Sequence, residues 1–302
     1  MGVSGNAGND IFNVGSLNNT LDQIGSVVVG DSGGGFDQLN INDQGNLTPS
    51  NYNISDFEVN RATPRFSIGY GYNNVPLENL TFNAGQGGNN ITLYSLHPNT
   101  PVNLNSGSGN DHIVMLPGVM SGFMKLDGQG GTDSLDYSAF ATDVRVVLPL
   151  GLATGVTGGI SNIENATGGD GNDVLVGGAG VNMLTGNSGR DVLIGGLDID
   201  SLVAGDDDDI PIGGTTDFDT NLVALDKIKA EWTQPIVTYA GRVSNLSSGG
   251  GLNGPYLLNS VTVHDDGVTD ALAGVGGLDW FLASLADTTD WDSAIGEQIV
   301  LL

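Results

Sequence analysis

Five consecutive nonapeptides run from residue 168 to residue 212: GGDGNDVLV (168–176), GGAGVNMLT (177–185), GNSGRDVLI (186–194), GGLDIDSLV (195–203) and AGDDDDIPI (204–212). A sixth stretch, GGTTDFDTN (213–221), begins in the same way and then departs from the pattern. The sixth position of the five repeats is always Asp or Asn: Asp173, Asn182, Asp191, Asp200 and Asp209. Self-similarity at a fixed short period is the signature of a repeat architecture.

The same signature, a Gly-rich turn followed by Asp or Asn and then an apolar residue, occurs upstream at wider spacing. Its polar residues are Asp10, Asp37, Asn89, Asp111 and Asp133. The last two intervals are equal, and the interval from Asp37 to Asn89 is nearly twice as long as the one before it. We interpret the intervals as longer coils of one solenoid, and we expect the longest to hold two coils of about 26 residues each.

The segments between the turns predict the fold class. Each turn is followed by a short apolar or alternating segment, such as ITLY (91–94) and VRVVL (144–148), and such segments are typical of β-strands. Glycine suits the tight turns because it adopts positive φ without a Cβ clash. We therefore predict an all-β fold: a solenoid of parallel strands, with a C-terminal capping region that contains one short helix.

The composition of the chain excludes several classes of partner. Of 302 residues, 49 are Gly, 35 are Asp or Glu, 8 are Lys or Arg and none is Cys, so the formal net charge is −27. Eight scattered cations cannot form the basic stripe that binds nucleic acid, so we expect no nucleic-acid partner. No run of 18 apolar residues occurs, so we expect no membrane span. Without Cys, something other than disulfides must stabilise this Gly-rich chain.

The nonapeptide turns have the chemistry of a calcium site. A Ca²⁺ ion takes six to eight oxygen ligands from carboxylates and backbone carbonyls. If two consecutive nonapeptides form one coil, alternate turns stack on the same side and enclose an ion between them. This arrangement predicts one ladder through Asp173, Asp191 and Asp209, and another through Asn182 and Asp200. For a single turn the simpler alternative is a solvated Asp, since Gly and Asp are common turn formers.

The segment 168–212 resembles the calcium-binding β-roll of RTX (haemolysin-type) nonapeptide-repeat proteins, of the bacterial cell-surface or secreted type. The resemblance is partial at the five upstream turns. It implies an all-β, right-handed parallel β-roll or β-helix solenoid, Ca²⁺ as the cofactor, calcium-dependent folding, and export by a type I system that reads an uncleaved C-terminal signal. Asp173, Asp191, Asp200 and Asp209 match the ligating Asp of the family, whereas Asn182 departs from it.

The predicted calcium-binding residues fall in two groups. In the nonapeptides they are Asp173, Asp191, Asp200, Asp209, Asn182, Asp170, Gly168, Gly177, Gly186 and Gly195. In the upstream turns they are Asp10, Asp37, Asp111 and Asp133, for which the solvated-turn alternative stays open because they lack neighbours at the same period. Asn89 can instead hydrogen-bond to its own backbone.

We expect three regions along the chain. Residues 1–167 form an irregular long-coil β-solenoid, residues 168–221 the RTX nonapeptide β-roll, and residues 222–302 a C-terminal cap or secretion region that closes the end of the solenoid. In the last region, the sequence from Asn221 to Trp232 places Leu222, Leu225, Ile228 and Trp232 on one helix face. Asp217 or Asp219 is the expected cap of this helix.

The sequence predicts no catalytic residue, and we expect that the protein is not an enzyme. GDSGG (30–34) resembles the nucleophile loop of trypsin-like proteases, but that chemistry needs a His base. The chain has only His97, His112 and His264, all after Ser32, and it has no H-E-x-x-H motif. The acidic residues lie mainly in the repeat turns.

Two functional hypotheses follow. The first is a secreted or cell-surface structural protein stabilised by calcium: an adhesin, a surface-layer protein or an extracellular filament subunit. The N-terminus starts inside the repeat pattern, so we expect a fragment or processed piece whose open end can stack end to end into fibres. The alternative is the C-terminal, calcium-dependent folding and type I secretion module of a larger exoenzyme. Binding to a glycan or another surface partner is a third class, which requires exposed aromatic side chains.

Overall fold

The computed structural model describes residues 1–5, 7–30, 35–70, 77–118 and 122–302. Short strands, most of them paired in parallel, make up most of its regular structure. The predicted all-β, solenoid-like fold is therefore confirmed. Within the described residues there are two α-helices rather than the single predicted one.

The elements are labelled in chain order. The strands are β1 (Gly2–Ser4), β2 (Ile11–Val14), β3 (Ser26–Gly30), β4 (Gln38–Asn42), β5 (Asn51–Ile54), β6 (Glu58–Ala62), β7 (Arg65–Gly69), β8 (Asn79–Asn83), β9 (Asn90–Leu93), β10 (Val102–Asn105), β11 (His112–Met115), β12 (Met124–Asp127), β13 (Ser134–Asp136), β14 (Arg145–Val147), β15 (Leu152–Ala153), β16 (Ile160–Ser161), β17 (Asn165–Thr167), β18 (Val174–Val176), β19 (Met183–Ser188), β20 (Val192–Ile194), β21 (Ser201–Asp206), β22 (Ile210–Ile212), β23 (Thr215–Thr216), β24 (Val263–His264), β25 (Ala271–Val275), β26 (Trp280–Ala283), β27 (Thr288–Thr289) and β28 (Gln298–Leu301). The helices are α1 (Leu222–Trp232) and α2 (Tyr239–Ser248), and Leu148–Leu150 form a 3-10 turn.

The chain divides into two compact units. The N-terminal unit comprises residues 1–136 and 153–163, and the C-terminal unit comprises residues 137–152 and 164–302. The expected three-region division, with boundaries at 167 and 221, stays a prediction.

The N-terminal unit stacks its coils in two sheets. One sheet has the order β16-β12-β10-β8-β4-β2, and the other contains the consecutive parallel strands β9, β11 and β13. Ile91 pairs with Ile113, and Ile113 pairs with Leu135. All three side chains are fully buried, because successive coils place equivalent apolar residues in one inward row.

In the described residues of the long interval between Asp37 and Asn89, the chain forms one coil instead of two. Strands β5, β6 and β7 form an antiparallel meander. Strand β7 pairs in parallel with β3, and β5 pairs in parallel with β9. In the opposite sheet, β4 pairs directly with β8. The expectation of two coils was wrong, because a single long coil carries an antiparallel excursion.

A buried charge stabilises this excursion. The Arg61 side chain is fully buried and pairs with the fully buried Asp43 at 2.7 Å and with Asp22. Its guanidinium lies over the rings of Tyr52 and Phe66, and the Tyr52 hydroxyl donates to Asp43 at 2.6 Å. A buried cation of this kind is tolerated because every neighbour offers an anion, an acceptor or an aromatic face.

The C-terminal unit is a roll in which equivalent residues of successive coils are 18 residues apart. Strands β14, β18, β20 and β22 form one parallel sheet, and β17, β19 and β21 form the other. Leu175 pairs with Leu193 and Leu193 with Pro211, so the central residues of these strands form one buried row. The predicted pairing of two nonapeptides in one coil is confirmed by this register.

The roll is interrupted and then resumes. Strand β25 pairs in parallel with β21, and β26 pairs in parallel with β22. Equivalent residues across this interruption are 70 positions apart instead of 18. Strands β27 and β28 then add a further coil. Residues 271–301 therefore extend the two sheets of the roll.

Residues 215–264 form the helical insertion, which separates the two parts of the roll. Its ends are held together by antiparallel pairing of β23 with β24. Helix α1 begins after Asn221, whose side-chain oxygen accepts a hydrogen bond from the N–H of Ala224. The expectation that Asp217 or Asp219 caps this helix was wrong: Asp219 instead accepts hydrogen bonds from the Thr216 N–H and hydroxyl.

The helical insertion covers the outer face of one sheet. Val174, Val192 and Ile210 lie in one outward row of this sheet, and all are buried in a cluster with Leu225 and Trp232 of α1. Strands β18, β20 and β22 are consequently buried at every position. A sheet covered on both faces needs such continuous apolar segments.

Basic residues fasten the helical insertion to the roll. Lys229 of α1 pairs with Asp143 at 2.8 Å, and Arg145 of β14 pairs with Asp226 of α1. Arg242 of α2 pairs with Asp208, which also lies 3.7 Å from Arg190. Four of the eight Lys and Arg residues of the chain thus lie at this interface.

Candidate calcium-binding site

The first Asp ladder consists of Asp173, Asp191 and Asp209, and it joins successive coils through paired hydrogen bonds. The N–H of Asp173 donates to Oδ1 of Asp191 at 2.7 Å, and the N–H of Asp191 donates to Oδ1 of Asp209 at 2.7 Å. In return, the residue after each Asp donates to the carbonyl of the previous one, as Ile210 does to Asp191. All three side chains are fully buried.

The second Asp ladder begins with Asn182 and Asp200. The N–H of Asn182 donates to Oδ1 of Asp200 at 2.8 Å. The side-chain amide of Asn182 is used by the backbone, since its oxygen accepts from Gly178 and its nitrogen donates to Glu164. The two ladders follow the two sequence series, each with a spacing of 18 residues.

The second carboxylate oxygen distinguishes the members of the ladders. Oδ2 of Asp173 accepts the N–H of Gly169 at 2.7 Å. Within the described residues, Oδ2 of Asp191, Asp200 and Asp209 is buried and has no hydrogen-bond partner. A buried carboxylate oxygen without a partner is costly, so these three positions need a ligand that the protein's own donors do not supply.

Burial perturbs the acidity of these carboxylates. It raises the pKa of Asp173 to about 6, of Asp200 to about 7 and of Asp191 to about 8. Burial, reinforced by the charge of Asp191, raises the pKa of Asp209 to about 10. Each carboxylate is therefore destabilised in its charged form until a cation compensates it.

In the first four repeats, the glycine at position one makes room for the Asp or Asn side chain at position six. A Cβ at Gly195 would lie 2.6 Å from Oδ2 of Asp200. A Cβ at Gly168 would overlap Oδ2 of Asp173, and one at Gly186 would overlap Oδ2 of Asp191. At Gly177 the same position faces Oδ1 of Asn182. The Gly at position one and the Asp at position six therefore form one structural unit.

The sequence pattern of the RTX calcium-binding nonapeptide repeat matches the chain four times, at residues 3–21, 159–193, 167–202 and 185–215. The nonapeptides that carry the Asp ladders are RTX repeats. A comparison with curated proteins finds no match for the chain. RTX repeats bind Ca²⁺ and typically occur in secreted proteins, so calcium is the cofactor of this chain.

The donor set of the RTX repeats fits calcium. The unpartnered Oδ2 atoms are hard anionic oxygens, and the Gly-rich turns supply carbonyl oxygens next to them. Among the described residues, no three His, Cys, Asp or Glu side chains converge on one point. Backbone carbonyls must therefore complete the coordination, as the Gly-rich turns of RTX repeats permit. The bound ion supplies the positive charge that the buried carboxylates require.

The upstream residues of the N-terminal unit share part of this geometry. The N–H of Asp10 donates to Oδ1 of Asp37 at 2.8 Å, and the N–H of Asp111 donates to Oδ1 of Asp133 at 2.7 Å. Oδ2 of Asp10 and of Asp111 is buried without a hydrogen-bond partner among the described residues. Asn89 behaves as the alternative predicted, because its side-chain amide donates to the carbonyls of Gly85 and Ser106.

Several other residues singled out in the sequence lie apart from the ladders. Asp170 is exposed, and its side chain is not part of either Asp ladder. Ser32, in the protease-like stretch, lies outside the described residues. His112 lies on an outer sheet face between Ser134 and Asp136. Among the described residues, neither helix is long and apolar enough to cross a lipid bilayer.

Three further carboxylates continue the ladders and were missed in the sequence. The N–H of Asp209 donates to Oδ1 of Asp279, the N–H of Asp200 to Oδ1 of Asp270, and the N–H of Asp270 to Oδ1 of Asp287. The signal was present in GVGGLDWF (274–281), a Gly-rich turn with Asp followed two residues later by an apolar residue. Asp270 precedes Asp279 by nine residues, the period of the repeat.

Proposed function

We propose that this protein is a non-catalytic, calcium-stabilised structural protein of the cell surface or the extracellular space, such as an adhesin, a surface-layer protein or a filament subunit. The observation that supports the proposal is the pair of Asp ladders, in which buried carboxylates occur in every coil of the roll. Such a core requires a divalent cation, and it is rigid once the cation is bound.

Calcium-dependent folding suits export. Without calcium, stacked carboxylates about 4.8 Å apart repel each other across a buried interior, which favours the unfolded chain. In calcium-poor cytosol the chain would stay exportable by a type I system, and in calcium-rich surroundings binding would drive folding. The net charge of −27 also keeps the unfolded chain soluble before export.

A calcium titration tests the proposal. Far-UV circular dichroism of the full chain should change from a disordered to a β-rich spectrum as calcium is added to chelator-treated protein. Magnesium at the same concentration should have a smaller effect, because it demands octahedral geometry and keeps its waters. A β-rich spectrum that chelation leaves unchanged would overturn the proposal.

Assembly is the second part of this proposal. Strands β1 and β2 each have one neighbouring strand among the described residues, and so do β27 and β28. Open parallel edges of this kind pair with other chains, so we propose end-to-end stacking of copies into fibres. Light scattering and negative-stain imaging should show calcium-dependent growth of particles. Monodisperse monomers in saturating calcium would exclude a filament, and an upstream hydrolase domain in the full-length gene product would favour a secretion module.

Glycan binding is a second candidate function, favoured by one cleft in the N-terminal unit. Phe57 and Tyr94 are both about half exposed and line this cleft together with Asn53, Glu58 and Asn60. Exposed aromatic faces beside amide and carboxylate groups suit a sugar ring. A glycan array should give binding that Tyr94→Ala removes, whereas an array without signal would argue against this function.

A further inference from the structure

The first Asp ladder continues across the helical insertion with unchanged hydrogen bonding. The N–H of Asp209 donates to Oδ1 of Asp279 at 2.8 Å, and the N–H of Trp280 donates to the carbonyl oxygen of Asp209 at 2.8 Å. The corresponding bonds from Asp191 to Asp209 and from Ile210 to Asp191 measure 2.7 and 2.9 Å. The two hydrogen bonds that join neighbouring Asp residues of a ladder, called a rung here, keep the same geometry. This holds although Asp209 and Asp279 are 70 residues apart, whereas Asp191 and Asp209 are 18 residues apart.

The second Asp ladder shows that the insertion splits one repeat in two. Gly213 occupies the first position of a repeat, two nonapeptides after Gly195. A Cβ at Gly213 would lie 3.0 Å from Oδ2 of Asp270 and equally close to Oδ2 of Asp287. The N–H of Asp200 donates to Oδ1 of Asp270 at 2.8 Å. The glycine half of this repeat therefore precedes the helical insertion and the aspartate half follows it.

The turn before Asp279 reproduces the turn before Asp191. A Cβ at Gly274 would overlap Oδ2 of Asp279, as one at Gly186 would overlap Asp191. Gly277 has φ +116°, close to the +111° of Gly189 at the equivalent fourth position. Residues 274–279 thus have the conformation of a repeat turn, although the RTX pattern matches no farther than residue 215.

Each pair of carboxylates that spans the helical insertion includes a buried oxygen without a hydrogen-bond partner among the described residues: Oδ2 of Asp200 in one pair, and Oδ2 of Asp209 and Asp279 in the other. The side chains of Asp209 and Asp279 are both fully buried. Asp270 is 2% exposed. Two adjacent carboxylates in such an environment repel each other unless a cation lies within reach of both.

The helical insertion contacts this rung directly. The Trp232 indole of α1 donates to the carbonyl of Asp208 at 2.6 Å, and Arg242 of α2 pairs with the Asp208 carboxylate. The N–H of Leu278 donates to the same carboxylate at 3.0 Å. The Tyr239 hydroxyl donates to the carbonyl of Asp279 at 2.8 Å. A change at the Asp209–Asp279 rung therefore reaches both helices through single contacts.

We propose that Asp270 and Asp279 are calcium-binding residues that act with the turns of Asp200 and Asp209, so that calcium fastens the two halves of the split repeat and docks the helical insertion onto the roll. The inference rests on the proposed calcium-dependent folding and adds sites beyond the matched repeats.

The test uses Asp279→Asn in the full chain. Asn has the same shape and keeps the hydrogen bond from Asp209, but it removes the negative charge. In calcium, equilibrium dialysis should show at least one bound ion fewer than in the wild type. The calcium midpoint of the tryptophan fluorescence change, reported by the buried Trp232 and Trp280, should rise about tenfold. In chelator, the β-structure content measured by circular dichroism should equal or exceed that of the wild type, since one repelling charge is gone.

Two further variants complete the test. Asp265→Asn removes an exposed carboxylate of the same segment and should leave ion count and midpoint unchanged. Asp270→Asn repeats the experiment in the second Asp ladder, so a folding defect in one variant does not decide the outcome. A wild-type ion count and calcium midpoint in both Asp279→Asn and Asp270→Asn would overturn this inference. A wild-type chain that binds no calcium would instead overturn the proposed function.

Discussion

The backbone N–H of Asp191 donates a 2.7 Å hydrogen bond to Oδ1 of Asp209, one coil farther along the roll. This bond fixes one carboxylate oxygen and leaves Oδ2 of Asp209 buried without a partner among the described residues. The backbone thus orients each carboxylate, and calcium neutralises it.

Asp191→Asn should weaken calcium binding, whereas Asp170→Asn should not. Asp191 is fully buried in the first Asp ladder, but Asp170 is exposed and lies outside it. We expect the calcium midpoint of folding, followed by circular dichroism, to rise about tenfold for Asp191→Asn. Equal midpoints for the two variants would show that the buried ladder does not hold the ions.

In chelator, the C-terminal unit should become more stable as the pH falls. Burial raises the pKa of Asp173 to about 6 and of Asp191 to about 8, above the ordinary carboxyl value near 4. Between pH 4 and 8 the folded state therefore binds more protons than the unfolded state, and its free energy of unfolding decreases as the pH rises.

Far-UV circular dichroism in chelator at pH 5 and at pH 8 measures this dependence, and we expect more β-structure at pH 5. In saturating calcium the trend should oppose it at low pH, because protons compete with calcium for the same oxygens. More β-structure at pH 8 than at pH 5 in chelator would contradict the assignment of these carboxylates.

Gly186→Ala should destabilise the roll much more than Gly178→Ala. A Cβ at Gly186 would overlap Oδ2 of Asp191 and the carbonyl oxygen of Ala204, whereas a Cβ at Gly178 meets no atom within 4 Å. We expect a loss of about 3 kcal/mol for Gly186→Ala and a change within about 0.5 kcal/mol for Gly178→Ala. Chemical denaturation in saturating calcium measures both changes. Similar losses for the two variants would show that the absence of a Cβ at Gly186 is not needed to accommodate the Asp191 carboxylate.

Val275→Gly should stabilise the protein. Val275 is two-thirds exposed and adopts φ +78°, a left-handed conformation that costs a β-branched residue about 1–2 kcal/mol. Gly offsets part of that gain through its unfolded-state entropy, so we expect a net gain of about 1 kcal/mol. Val261→Gly, at an exposed position without positive φ, is the control and should lose stability. Thermal melts compare the two.

Arg61→Ala should strongly destabilise the N-terminal unit. It would leave the fully buried Asp43 without its cation, a loss of about 3–5 kcal/mol. Arg65→Ala, at an exposed position four residues on, should change stability by less than about 0.5 kcal/mol. Denaturant unfolding of the two variants decides the point, and equal stabilities would show that Arg61 is dispensable.

The sequence was sufficient to predict the coil length and the two ladders, because Gly and Asp recur at a fixed period from residue 168 to residue 212. It was not sufficient to predict α2, whose Gly241 and serines have low helix propensity. That helix is stabilised by tertiary contacts: Leu246 is buried, and the Arg242 guanidinium lies 4.9 Å from the centre of the Trp232 ring. Tertiary packing here overrides local preference.

A layer over the roll could have been predicted from the strands themselves. Val174, Val192 and Ile210 are apolar at positions that face away from the inner row, whereas Thr185 and Ser201 of the opposite sheet are polar and half-buried. The antiparallel excursion around Arg61 could not have been predicted, because its pairing depends on contacts between distant residues. The ladder carboxylates Asp270 and Asp279 were obscured because 70 residues separate them from their partners.

The separation of Gly213 from Asp270 has a consequence for protein engineering. Closing a loop of 70 rather than 18 residues costs only about 1 kcal/mol of extra chain entropy. The roll keeps its register across this loop, and the paired strands β23 and β24 bring its ends together. The junction is therefore a permissive grafting point: a foreign domain with adjacent termini, placed between Thr216 and Val263, could be displayed on the flank of the roll if it also covers the apolar outer face.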